Sequence, residues 1–131
     1  MRRARVSQVV AASPLGMGLL APPPAPPEWH PALSAVRDAA GEAVRVVGEA
    51  QIAPVAVAWS VREAQQASER MPVVVGVRSL QEVHAAVEAW RWARDGDEGR
   101  KEELERKAAL ALGVFERTGT AGWTWASGNW A

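Results

Sequence analysis

The chain contains no cysteine and no tyrosine, and only two of its fifteen basic residues, Lys101 and Lys107, are lysines. The absence of cysteine excludes a disulfide framework, thiol catalysis and thiolate metal sites, and it fits a reducing compartment such as the cytoplasm. The absence of tyrosine closes any mechanism in which this chain alone supplies a phenol as proton donor. Charge of either sign is also missing as a net quantity: fifteen basic residues stand against fifteen acidic ones, with the arginines scattered, so neither nucleic acid nor another charged polymer is an expected partner. Nor is there an apolar run near the roughly 18 residues of a membrane span, so no membrane is expected either. Two distant histidines, His30 and His84, are too few for a metal site.

What is present is organised around PVVVGVRSLQEVHAAVEAW, residues 72–90. Four β-branched valines surround Gly76 and suit a strand buried on both faces, as in a parallel sheet. Ser79 and Glu82 then form an S-x-x-E capping box that starts a helix. Leu80, Val83, Val87 and Trp90 recur at helical spacing and predict its buried face. A helix N-terminus at the end of a buried parallel strand suits an anionic ligand, although an ordinary βα unit without one has the same pattern. His84 stands four residues before Glu88, which predicts a surface pair.

Before this unit, the basic, acid-free start MRRARVSQVVAASPLGMGLLA reads either as a targeting segment or as a strand over 6–12. PPPAPPEWHP, residues 22–31, is a stiff proline-rich connection. It reads as a loop with Trp29 packed beneath it, or as a polyproline ligand for an adaptor domain. Helical spacing predicts one helix over about 32–50, with Leu33, Val36, Ala40, Val44 and Val47 inward. A second starts at Pro54, with Val55, Ala58, Trp59 and Val61 inward. After the break DGDEG, an amphipathic helix over 101–117 carries Leu104, Ala108, Ala111, Leu112 and Phe115, followed by a tail with Trp123, Trp125 and Trp130. The order predicts two parallel strands joined by a helical crossover. Two such strands leave bare edges, which points to part of a larger α/β assembly or to self-association through exposed strands.

Four blocks in order, SPLGMGLL at 13–20, PPEWHPAL at 26–33, APVAVAWSV at 53–61 and VVVGVRSLQEV at 73–83, resemble the C-terminal part of aldo-keto reductases. The sugar-dehydrogenase branch, with L-galactose dehydrogenase and fungal D-arabinose 1-dehydrogenase, is the most similar. The resemblance covers about 6–93 and implies an α/β fold: strands seven and eight, with their helices, of a (β/α)₈ TIM barrel, followed by a helical C-terminal extension. Residues 1–94 would then be the partial oxidoreductase domain, and 95–131 the extension that caps the mouth, its tryptophans suited to stacking on a sugar. The implied activity is NAD(P)-dependent oxidation of an aldose at its anomeric carbon to a lactone.

The implied cofactor residues are Ser13, Leu15, Gly16 and Gly18 toward the nicotinamide and pyrophosphate, and Gly76, Val77, Arg78 and Glu82 toward the adenosine end. Gly76-Val77 stands where NADP-preferring members often carry Lys-Ser, which favours NAD over NADP. Ala85-Ala86 stands where a Glu-Asn pair is frequent. The family's catalytic Asp, Tyr, Lys and His belong to earlier strands, so the resemblance assigns no catalytic residue here and implies a C-terminal fragment, inactive alone. The alternative is a non-catalytic module that associates with itself or with a complementary partial barrel.

Overall fold

The computed structural model describes residues 7–23, 26, 28–67 and 70–123. Among these, four helices carry the fold: α1 (Ser34–Val47), α2 (Ile52–Gln66), α3 (Leu80–Asp95) and α4 (Glu98–Arg117). Two strands, β1 (Ala11–Ala12) and β2 (Val73–Val74), pair in parallel with Ala11 opposite Val73 and Ala12 opposite Val74. The expected α/β architecture of a partial (β/α)₈ barrel is therefore corrected: the described chain is 61% helix and 4% strand. The residues flanking the strands explain why the ladder stops. Past Ala12, Ser13 turns into the left-handed region at φ 57° and Pro14 has no N–H to donate. Before Val73, Pro72 also lacks a donor, and Met71 N–H bonds back to Ala64 O at 3.1 Å. Among the described residues Val75 and Val77 have no strand partner opposite them, so the expected strand over 73–77 is two paired residues long, as is the one over 6–12; position 6 lies outside the described residues.

α1 ends at Gly48, whose φ of 104° disfavours any side chain. The Gly48 carbonyl then accepts from Ile52 N–H at 3.0 Å and starts α2, so the two helices meet at about 100°. α2 begins two residues before Pro54, which is tolerated in a first turn because its missing N–H would have no helical acceptor there. Asp97 caps α4 by accepting from Arg100 N–H at 2.9 Å, three residues earlier than the expected start at Lys101.

α2 packs chiefly against α3, and α1 against α4. The main core joins Val44, Val47, Ile52, Val55, Ala58, Ala89, Trp92, Leu104 and Ala108. Ala39, Ala43 and Val114 form a second cluster between α1 and α4, so the C-terminal helix shares its core with the helices before it. On α1, Val36, Ala40, Val44 and Val47 are buried as expected, whereas Leu33 precedes the helix and is exposed. On α4, Leu104 and Ala108 are buried, Leu112 faces outward, and fully buried Val114 takes its place.

α3 is turned differently from expectation. Its large stripe is uncovered, with Leu80 70% and Trp90 38% exposed and Val83 and Val87 in between. The buried residues are Ala89 and Trp92, on the opposite side of the helix, which packs against α2 and α4. The Trp92 indole N–H donates to Arg100 O at 2.7 Å and fixes the turn into α4.

No single helix among the described residues is long and apolar enough to cross a membrane. Trp125, Trp130 and residues 1–6 of the targeting reading lie outside the described residues, as do parts of the proline-rich loop; Trp123 is half exposed.

Candidate functional site

Because β1 and β2 run parallel, their C-terminal ends reach the same edge, and the two following loops face each other. Ser13 N–H donates to Val74 O at 3.3 Å and joins the loops at their roots. Between them opens a cleft of about 730 Å³, in the range of small-molecule sites. Ser13, Leu15, Gly18, Gly76, Val77, Arg78 and Glu82 all line it. Of the eight residues assigned to a cofactor, only Gly16 is absent from the wall. Trp29, Met17 and Pro54 are among the other residues that line it, with Ala85 and Ala86 at the α3 side.

The first loop is unusual in its backbone. Ser13, Gly16, Met17 and Gly18 all have positive φ, at 57°, 57°, 59° and 95°. Two of these are not glycine, a conformation that costs on the order of 1 kcal/mol or more and concentrates at ligand sites. The loop is closed by Gly16 N–H to Ser13 O at 2.8 Å and Leu20 N–H to Leu15 O at 3.1 Å.

It is also held from outside, by His30. Ala32 N–H donates to His30 Nδ1 at 3.1 Å, so the ring proton sits on Nε2, which donates to Gly16 O at 2.8 Å. The imidazole is 3% exposed, and the carbonyl it holds belongs to the one assigned glycine that does not face the cleft. Sequence reasoning left His30 without a role, because its acceptor lies fourteen residues away. Its neighbour Trp29 is 67% exposed rather than packed beneath the loop, and it stacks on His30 with centroids 6.1 Å apart.

The opposite wall is the start of α3. Ser79 Oγ accepts from Glu82 N–H at 3.2 Å, and the Glu82 carboxylate reaches back to Arg78 N–H at 2.6 Å. The expected capping box is thus present, with its return bond one residue further out. Arg78 N–H is the main cause that holds the Glu82 carboxyl below the usual carboxylate range; desolvation opposes it, and the Arg78 side chain adds to the lowering. The Arg78 side chain is 91% exposed and 3.3 Å from Glu82, so it is held only loosely. A Cβ placed on Gly76 would meet nothing within 4 Å, leaving open space above the backbone at the turn. His84 does not pair with Glu88 as expected: Glu88 binds Arg91 at 2.6 Å.

This arrangement can receive a long, partly apolar ligand with polar ends. Its walls are mainly aliphatic and small, its rim carries an aromatic face at Trp29, and a helix N-terminus flanked by one cation and one anion closes the far side. No group of three or more potential metal ligands occurs among the described residues. No protein-family model matches this chain, and no curated protein matches it.

Proposed function

We propose that the strand-end cleft binds a nicotinamide dinucleotide, NAD in preference to NADP, and that the chain serves an aldose-oxidising dehydrogenase. The observation that carries this reading is the convergence of both assigned segments, 13–18 and 76–82, on one cleft, although some sixty residues separate them.

The residues present fit the cofactor's chemistry. Trp29 offers a flat face for a ring system, the aliphatic walls accept ribose and ring edges, and the open space at Gly76 allows close approach of the adenosine end. Glu82 supports the preference for NAD. Its carboxylate already occupies the N-terminus of α3, where it can accept from ribose hydroxyls and would repel a 2′-phosphate. When bound, the nicotinamide would supply the hydride acceptor. A chain without tyrosine has no phenol of its own to take the sugar's proton, so binding without turnover is expected of this chain by itself.

Calorimetric titration with NAD⁺ and NADP⁺ tests the reading. Saturable binding of NAD⁺, tighter than NADP⁺ by about tenfold (about 1.4 kcal/mol) and weakened in Gly76→Leu without loss of fold, is expected. Gly76→Leu fills the space over the turn and meets no neighbour at its Cβ. Absence of binding to either nucleotide by the folded chain would refute the proposal.

A further inference from the structure

His30 does not line the strand-end cleft, yet it touches two segments that do. The first is the 13–18 loop, whose two ends are fixed. Ser13 N–H is tied to Val74 O at 3.3 Å, and Leu19 is buried with Ala32, Val36 and Ala40 at α1. Gly16 stands midway between these anchors, and His30 Nε2–H holds its carbonyl at 2.8 Å. The second is Trp29, on which the same imidazole stacks.

The ring has one orientation in which it can do this. Ala32 N–H occupies Nδ1 at 3.1 Å, which keeps the proton on Nε2 and aims it at Gly16 O. A buried ring fixed at one nitrogen and donating from the other is suited to placing its acceptor.

The loop needs such placing. Ser13 and Met17 hold positive φ without being glycine, and that strain works against the short-range bonds that close the loop. The bond from His30, made to the middle of the loop from outside it, shifts the balance toward the strained form. A ligand that binds this form alone has an apparent dissociation constant divided by the fraction of chains that hold it.

We infer that His30 is a positioning residue for the cleft: through Gly16 O it holds the 13–18 loop in its ligand-receiving form, and so sets the affinity of the site. The inference rests on the cofactor reading in that NAD⁺ is the probe of that affinity.

Calorimetric titration of NAD⁺ into the full chain, with His30→Gln and His30→Asn beside wild type, separates placing from folding. Glutamine reaches Gly16 O but not Ala32 N–H, whereas asparagine does the reverse. Stability is thus expected to favour asparagine, and affinity to favour glutamine. The dissociation constant is expected to rise no more than about twofold in His30→Gln and about fivefold in His30→Asn, the effect of one hydrogen bond lost from the binding form. A role in stability alone would order the two affinities as it orders the stabilities, so a glutamine variant that binds no better than the asparagine one overturns the inference.

Wild type that binds neither NAD⁺ nor NADP⁺ refutes the cofactor reading by itself, and amide hydrogen exchange of the ligand-free chain then decides the role of His30. Exchange at Gly18, Leu19 and Leu20, taken relative to Ala58 in the core of α2, is expected to be about fivefold faster in His30→Asn than in His30→Gln. Equal ratios in the two variants overturn the inference whether or not a nucleotide binds.

Discussion

Replacing His30 with alanine is the perturbation most informative about how the cleft is built. The substitution removes the Nε2–H bond to Gly16 O and leaves Ala32 N–H, in a 6%-exposed residue, without its acceptor. The two losses are unequal. Gly16 O keeps a bond from Leu19 N–H at 3.2 Å, so its part is one ordinary hydrogen bond, about 1 kcal/mol. The buried Ala32 N–H loses its partner outright, which costs about 1–3 kcal/mol. The total is about 2–4 kcal/mol, or a fall in Tm on the order of 10 °C for a chain of this size. Two further variants separate the terms. In His30→Asn the side-chain amide oxygen stands near the place of Nδ1, so this variant is expected to recover most of the stability. His30→Gln reaches Gly16 O but not Ala32 N–H, and is expected to recover less. Urea denaturation followed by circular dichroism reads all three. A His30→Ala protein within about 0.5 kcal/mol of wild type, or glutamine rescuing better than asparagine, would refute the reasoning.

Three other outcomes are expected. The carboxyls of Glu82, held by Arg78 N–H, and Glu103, held by the Lys107 side chain, both lie below their ordinary values. Their stabilisation is therefore complete above the usual carboxylate range and is lost as the pH falls through the lowered values. Glu82→Gln should flatten part of this acid limb in a pH series of urea midpoints, and an unchanged limb would contradict the cap. Trp92→Phe keeps most of the packing but deletes the indole bond to Arg100 O, and should cost about 1–2 kcal/mol in the same denaturation assay. In Gly96→Ala the added Cβ would lie 2.7 Å from Trp92 O, so the α3–α4 turn must shift; destabilisation by about 1–3 kcal/mol is expected, and a neutral variant would show the turn to be pliable.

The features legible in the sequence were those fixed by near neighbours. Ser79 and Glu82 announced the start of α3 because a capping bond spans three residues. The stripe of α1 was legible because that helix has one dominant apolar face, whereas on α4 only Leu104 and Ala108 of the expected stripe are buried and Val114 is buried in place of Leu112. α3 has two stripes: Leu80, Val83, Val87 and Trp90 make the more continuously apolar one, but the Ala89 and Trp92 side fits against α2 and α4, and pattern alone does not say which face a neighbour covers. Strand length was illegible for a similar reason. The valines at 73–77 have strong β propensity, but a ladder needs a partner at each position, and β1 turns away at Ser13. The cleft itself followed from parallel pairing, which brings the ends of both strands to one edge. The latch at His30 did not, since nothing local marks an acceptor fourteen residues away.

The most direct test of the cleft assignment is an NMR titration of the isotopically labelled chain with NAD⁺, read at each backbone amide. Saturable shifts concentrated at residues 13–18 and 76–82, with the Trp29 indole among them, are the predicted result. An absence of saturable shifts, or shifts confined to positions outside these two loops, would contradict it.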